Sequence, residues 1–345
     1  SITAQDVNNG SNDACGIAAL NATPTSFNCS NVGSNTVTLT VTDVNGNSST
    51  CTANVTVEDT IPPNALCQDL TVQLDASGNA SITAADVDNG SNDNCAIDTL
   101  TLDNDIFDCS DLGNNVVTLT ATDVNGNTAT CTSNVTVLDT VPPVAICQNI
   151  TVQLSASGNA TIAASDVDGG STDACGIASL SATPTSFTCA NVGANSVTLT
   201  VSDSSGNAST CTATVTVEDT VPPVAVCQNI TVQLDGSGNA TITASDVDGG
   251  STDACGIASL SATPTSFSCN NVGGNTVTLT VTDVNGNSST CTAQVTIEDT
   301  VPPMAVCQDL TVQLDASGNA SITPADVDNG STDNCTITNL SVTPS

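Results

Sequence analysis

The chain has 345 residues, and its charge is one-sided: 35 Asp plus Glu stand against no Lys, Arg or His. Because nothing in it can neutralise a phosphate, nucleic acid and anionic membrane surfaces are excluded as partners. Apolar residues make up 38% of the chain. They alternate with Thr and Ser in long runs, which argues against disorder. No apolar run approaches the length of a bilayer span, so we expect no membrane insertion.

An 80-residue repeat organises the chain. All 17 cysteines fall into four series that step by 80, beginning at Cys15, Cys29, Cys51 and Cys67. This period predicts three complete modules between two partial ones, with the bounds 1–60, 61–140, 141–220, 221–300 and 301–345. We expect the chain to be a segment of a longer array, because residues 1–25 align with residues 321–345.

One module, 61–140, shows the predicted elements in chain order. Alternating apolar and polar residues predict β-strands at 69–74, 80–87, 96–102, 116–123 and 128–138. A short extended piece at 65–67 precedes them. Turn signals separate these segments, and the clearest is the Asn125-Gly126 hairpin signal. The predicted fold class is all-β, as tandem immunoglobulin-like β-sandwich modules of 80 residues. The Pro62-Pro63 pair and its copies predict short, semi-rigid linkers and an extended rod.

The cysteines are predicted to be disulfides in an oxidising, extracellular setting. Trp and Tyr are absent and Phe occurs four times, so a module with so small a core needs covalent staples. Strand parity points Cys51 into the sandwich beside Val55 and Val57, so its copies should reach the start of their module. The predicted bridges are Cys67–Cys131, Cys147–Cys211, Cys227–Cys291, Cys15–Cys29, Cys95–Cys109, Cys175–Cys189 and Cys255–Cys269. Cys51, Cys307 and Cys335 are left over. Structural zinc is the competing reading, although CxxC pairs and His are lacking.

The residues resemble the hyalin repeat (HYR) family. The resemblance is carried by the Asp-Thr-Val-Pro-Pro linker, Cys-Gln-Asn-Ile-Thr-Val-Gln-Leu at 227–234, Asp-Ala-Cys-Gly-Ile at 253–257, Phe267, Val272-Gly273 and Val-Thr-Asp-Val-Asn-Gly-Asn at 281–287. More narrowly, the chain is similar to the tandem HYR-like modules of large secreted surface proteins of Bacteroidetes. The resemblance implies an extracellular immunoglobulin-like module that acts in adhesion or as a stalk, at the cell surface.

Acidic loops are the candidate metal sites. Carboxylates around a Gly turn suit Ca²⁺, which prefers oxygen ligands. The candidate ligands are Asp86, Asp88 and Asp93, with their copies Asp166, Asp168, Asp173, Asp246, Asp248 and Asp253. A plain Asx-turn explains the same residues without metal, and for the hairpin set Asp43, Asn45 and Asn47 the plain turn is preferred. Loop and linker carboxylates, such as Asp59, could also meet between modules and hold Ca²⁺ there.

The linker also resembles a site of O-glycan attachment. Asp-Thr-aliphatic triplets place glycosylation candidates at Thr60, Thr140, Thr220 and Thr300. The alternative is that each triplet is simply part of an extended connection.

A structural function follows from repetition. Near-identical modules that lack His, Lys and Tyr do not form one dedicated active site, so we expect no enzyme and no cofactor other than Ca²⁺. We expect a repeat segment of a secreted filament or stalk, whose partners are neighbouring modules or copies of the same chain, with a surface glycan at an unseen tip. The alternative is an adhesin whose repeats bind a glycan or a surface directly.

Overall fold

A computed structural model describes residues 1–344 and shows an all-β chain of sandwich modules about 80 residues long. Backbone contacts divide the chain into two units. Unit 1 comprises 1–145, 171–179 and 201–209, and unit 2 comprises 146–170, 180–200 and 210–345. Over the described part of the chain, no helix has the length and apolar character needed to cross a bilayer.

Unit 1 begins with a three-stranded antiparallel sheet in the order β1-β2-β3. The strands are β1 (Ile17–Thr23), β2 (Gly33–Asp43) and β3 (Ser48–Val57). The next strands are β4 (Leu70–Gln73), β5 (Asn79–Ser81), β6 (Ile97–Leu102), β7 (Ile106–Asp108), β8 (Gly113–Asp123) and β9 (Thr128–Leu138).

These last six strands form one sandwich. A four-stranded sheet in the order β4-β9-β8-β6 faces a two-stranded sheet of β5 and β7. β4 pairs parallel with β9, whereas the other pairs are antiparallel. Alternate residues of β8 and β9 point inward, and Val117, Leu119 and Val135 are fully buried against Phe107 of β7. The alternation that predicted these strands therefore also defines the core.

Strand bounds recur 80 residues later in residues 141–220. They are β10 (Ile150–Gln153), β11 (Asn159–Thr161), β12 (Ile177–Thr183), β13 (Ser186–Thr188), β14 (Gly193–Asp203) and β15 (Ala208–Glu218). β10 again pairs parallel with a late strand, β15, and β11 pairs with β13.

Unit 2 contains a complete sandwich in residues 221–300. Its strands are β16 (Ile230–Gln233), β17 (Asn239–Thr241), β18 (Ile257–Thr263), β19 (Ser266–Ser268), β20 (Gly273–Asp283) and β21 (Ser288–Glu298). The sheet order β16-β21-β20-β18 repeats that of residues 61–140, and Phe267 lies in the core. After residue 300, the chain forms isolated bridges and the short helix α2 (Pro324–Val327), which is the second short helix after α1 (Ala84–Val87).

Two sequence predictions of secondary structure were wrong in detail. The strand predicted for 80–87 ends at Ser81, and a helical turn follows it. Asp86 causes this turn, because its carboxylate accepts hydrogen bonds from both the backbone N–H and the hydroxyl of Thr83, in a capping box. The second error is β7, which was not predicted because it is only three residues long.

Candidate functional site

The junctions between consecutive modules bring together most of the residues that the sequence singled out. Each junction contains a linker aspartate that follows the last strand of one module, and a loop aspartate from the next module. The linker aspartates are Asp59, Asp139, Asp219 and Asp299, and the corresponding loop aspartates are Asp93, Asp173, Asp253 and Asp333.

Disulfides cross every junction. Four bridges join a cysteine to the one 66 positions later in the next module: Cys29–Cys95, Cys109–Cys175, Cys189–Cys255 and Cys269–Cys335. Three bridges stay within a module, and they are the ones predicted: Cys67–Cys131, Cys147–Cys211 and Cys227–Cys291. Cys15, Cys51 and Cys307 form no bridge within residues 1–344, and all three are exposed.

The predicted bridges Cys15–Cys29, Cys95–Cys109, Cys175–Cys189 and Cys255–Cys269 were therefore wrong, as was an unpaired Cys335. The reason is the length of one strand. Cys95 lies just before β6, whose first residue pairs with Asp123 at one end of β8. Cys109 precedes Gly113, at the other end of β8. These ends are about 33 Å apart, whereas a disulfide needs Cα atoms within about 7 Å. In the structure, the Cα atoms of Cys109 and Cys175 are 5.2 Å apart.

A buried glycine makes room for each of the last three junction disulfides. Gly158 has φ +73°, and a Cβ there would lie 2.7 Å from Sγ of Cys189 and 3.3 Å from Cβ of Ala254. Gly78 and Gly238 hold the same position at their own junctions. Only glycine accepts both this backbone conformation and this close approach. The Ser-Gly-Asn turn thus packs against the bridge to the next module.

The linker aspartate is tied to its own chain and to the next module. Oδ1 of Asp139 accepts a hydrogen bond from the backbone N–H of Val141 at 3.0 Å. Its backbone carbonyl accepts another from Nδ2 of Asn207 at 3.1 Å. Asn127 and Asn287 make the same contact with Asp59 and Asp219. The last asparagine of the hairpin therefore ties each of these three modules to the linker that precedes it.

The hairpin aspartates serve this turn. Asp123 is 1% exposed, and its carboxylate accepts hydrogen bonds from the backbone N–H groups of Asn125 and Asn127 and from Nδ2 of Asn127. Burial acts to raise the pKa of Asp123, but these hydrogen bonds outweigh it, so the pKa lies below its ordinary value. The contacts account for both oxygens without a metal, in keeping with the plain turn preferred from sequence.

The structure separates the predicted calcium ligands. Asp86 caps α1, and the side-chain and backbone hydrogen bonds from Thr83 hold the pKa of Asp86 below its ordinary value. Asp88 accepts hydrogen bonds from the backbone N–H groups of Ser91 and Gly90. Asp93 instead lies with Asp59 and Cys95, with one ligand atom of each within 4.8 Å of the others.

The same grouping recurs at the next two junctions. Asp139, Asp173 and Cys175 form one group, and Asp219, Asp253 and Cys255 form another. The copies of Asp86 and Asp88, namely Asp166, Asp168, Asp246 and Asp248, belong to none of the three groups found in residues 1–344. The sequence predicted that linker carboxylates such as Asp59 could lie close to loop carboxylates between modules. It did not indicate which loop aspartate each linker aspartate would contact.

The linker threonines, each next to a linker aspartate in the sequence, are exposed. The hydroxyls of Thr140, Thr220 and Thr300 donate hydrogen bonds to the side-chain oxygens of Gln73, Gln153 and Gln233, respectively, at 2.9 to 3.3 Å. Their accessibility, with that of Thr60, is compatible with O-glycan attachment, which stays a prediction.

Comparison with known proteins places this architecture in a family. The family model described as HYR domain matches residues 138–217 and 218–297. The chain carries HYR domains in tandem. Each matched HYR domain begins one residue before a linker aspartate, so the family unit includes the whole linker.

Two relatives named hyalin also match. Hyalin of Strongylocentrotus purpuratus is 33% identical over 302 residues, covering 80% of this chain and 24% of that protein. Hyalin of Lytechinus variegatus is 32% identical over 240 residues, covering 66% of this chain and 45% of that protein. The chain thus spans less than half the length of either relative. Among solved structures, the protocadherin GammaB4 extracellular domain aligns over 88% of this chain and 64% of its own length, at 15% identity and a TM-score of 0.30.

Proposed function

We propose that these tandem HYR domains are a load-bearing structural segment of an extracellular filament or stalk. The observation that carries the proposal is the covalent path through the disulfides. A force that enters at Cys29 crosses to Cys95 through one bridge, follows the chain to Cys109, and crosses to Cys175 through the next. Only 14 positions per 80-residue module lie on this path.

This path limits how far the chain can be extended. Between Cys29 and Cys335, the path contains four disulfides and three 14-position stretches, which reach about 170 Å when fully extended. The same 306 positions without bridges would reach about 1,000 Å. A module could lose its fold under load, and the region from Cys29 to Cys335 would still not extend beyond the limit set by the bridges.

An extracellular setting fits the same chemistry. Seven disulfides persist only in an oxidising compartment. The absence of Lys and Arg removes every trypsin site, and the absence of Tyr and Trp removes most chymotrypsin sites. Both properties suit a filament exposed to proteases. We propose no catalytic role, because the chemistry of each junction is committed to holding modules together.

Single-molecule stretching between handles at the two ends tests the proposal. We expect the oxidised region from Cys29 to Cys335 to stop lengthening near 170 Å, and to extend to about 1,000 Å after reduction. Replacing Cys109 and Cys175 with Ser should add about 140 Å, because the shortest path must then run back through the Cys67–Cys131 bridge and on through the Cys147–Cys211 bridge.

The matched control is Cys147→Ser with Cys211→Ser. This variant also removes one bridge, but that bridge lies off the shortest path, so the limit should not change. A limit that shifts equally in both variants would contradict the load path. Binding of the intact repeats to a glycan or surface, with no such limit, would favour the adhesin alternative.

A further inference from the structure

The paired aspartates at two junctions carry an inference about a bound ion. At the second junction, Asp139 follows β9 of one module, and Asp173 precedes the bridged Cys175 of the next. One ligand atom of each of these three residues lies within 4.8 Å of the others. Cys175 is oxidised, so its sulfur is not a thiolate ligand, and the ligand atoms left are carboxylate oxygens.

One oxygen of this pair is buried without a donor. Asp139 is 9% exposed. Its Oδ1 accepts the N–H of Val141, but within the described residues Oδ2 is buried with no hydrogen-bond partner. Asp219 repeats this arrangement: Oδ1 accepts the N–H of Val221 at 3.1 Å, and Oδ2 is buried and unpartnered. A buried carboxylate oxygen without a partner costs free energy.

The first junction shows what a protein donor does at this place. There the residue after the loop aspartate is Asn94, whose Nδ2 donates to Oδ1 and Oδ2 of Asp59 at 3.3 and 3.4 Å. The unpartnered oxygen at that junction belongs instead to Asp93. At the second and third junctions the corresponding residues are Ala174 and Ala254, which have no donor to offer. Oδ2 of the linker carboxylate is therefore left without a protein donor beside the loop aspartate.

We propose that a divalent cation of the Ca²⁺ class binds between Asp139 and Asp173, and another between Asp219 and Asp253. The chain has no Lys, Arg or His to neutralise either pair. Two carboxylates completed by water form the hard-oxygen donor set that Ca²⁺ accepts. Each ion would contact both modules beside the disulfide that joins them. This inference rests on the structural function proposed above, to which it adds a second, reversible link between modules.

Counting bound ions tests the proposal directly. The oxidised chain, stripped of metal, is dialysed against millimolar Ca²⁺, and bound calcium per chain is measured by elemental analysis. We expect Asp139→Asn with Asp219→Asn to bind two fewer ions per chain than the unchanged protein. Glu218→Gln with Glu298→Gln is the matched control, because it removes two negative charges from exposed positions, one of them next to Asp219, and its calcium count should not change.

A second measurement separates ion binding from misfolding. In a chelator, the double Asp→Asn variant should unfold at the same or a higher temperature than the unchanged protein, because it removes a charge from each unneutralised pair. Added Ca²⁺ should raise the unfolding temperature of the unchanged protein more than that of the variant. Equal calcium counts in the two proteins, or no saturable uptake by the unchanged protein, would overturn the proposal. The stretching limit would stand in either case, because it depends on the disulfides alone.

Discussion

Buried aspartates in the hairpins show how an all-acidic chain keeps negative charges inside its modules. Asp123, Asp203 and Asp283 are 1 to 4% exposed. Burial alone would raise the pKa of Asp283. Hydrogen bonds from the side chain of Asn287 and from nearby backbone N–H groups lower this pKa by more, so it lies below its ordinary value. The same asparagines donate from Nδ2 to the preceding linker. One side-chain pair thus serves both the turn and the junction.

Replacing Asp123 with Ala should destabilise its module, because three N–H donors lose a shared buried acceptor. We expect the unfolding temperature, followed by calorimetry at neutral pH, to fall by roughly several degrees. Asp98→Ala is the control, since Asp98 is exposed on the same module and its loss should leave the transition in place. A null effect at Asp123 would contradict the role given to its hydrogen bonds.

The same residue sets a pH dependence. A carboxylate whose pKa is lowered by folding stabilises the fold above its unfolded value, here 3.8, and that contribution is lost as pH falls through the lower folded value. The difference in stability between the unchanged protein and Asp123→Ala should therefore be constant near neutrality and shrink below about pH 3.8. A difference that grows on acidification would contradict the sign of the shift.

Strands were the elements that sequence predicted best. β8 alternates apolar and polar residues from Val117 to Thr122 and β9 does so from Val135 to Val137, and that period follows directly from one buried face. β7 has three residues and offers no period, although its Phe107 lies at the centre of the core. The α1 turn was missed because Ala and Val are compatible with a strand, and only the Thr83 and Asp86 spacing indicates a cap.

The junction disulfides lay beyond sequence reasoning for a different reason. The predicted scheme and the observed one each leave three of 17 cysteines unpaired, so counting does not separate them. The choice depends on which end of β8 each cysteine occupies, and that is known only once strand register is known. The pairing of Asp93 with Asp59 depends on the same geometry, because Asp93 lies two residues before Cys95 and reaches the junction together with it.

A glycine in the turn after β16 provides a test at the scale of the element. Gly238 has φ +73°, and a Cβ would lie 2.6 Å from both Sγ of Cys269 and the carbonyl oxygen of Asn334. Gly238→Ala should cost about 1–3 kcal/mol from backbone strain alone, with the steric clash in addition, measured by chemical denaturation.

Two residues away, Gly236 provides the control. A Cβ there meets nothing within 4 Å, and the corresponding residues of other modules are Ala76 and Ala316. Gly236→Ala should be neutral or slightly stabilising. If the two substitutions had equal effects, the close packing of this turn against the junction disulfide would be refuted.

At the scale of the whole molecule, the bridges form an overlapping ladder. The four bridges between modules alternate along the chain with the three bridges within modules, and each joins two consecutive modules, so none of these junctions depends on its linker alone. Repetition is then the source of function: every copy adds the same short covalent path and the same acidic pair. Near-identical modules suit such a ladder, because the loss of any one bridge between modules would lengthen the shortest covalent path through the chain.

Identifying the disulfide partner of Cys109 tests whether covalent bridges join consecutive modules. Peptides from the unreduced protein, cleaved at acidic or small apolar residues because trypsin has no site, can be sequenced by mass spectrometry. The sequence around Cys95, Asp-Asn-Cys-Ala, differs from the Asp-Ala-Cys-Gly around Cys175 and Cys255, so the linked peptide shows whether the partner of Cys109 lies in its own module or in another. We expect Cys109 to be joined to the peptide that contains Cys175. Cys109 joined to the Cys95 peptide would contradict this expectation and remove the load path.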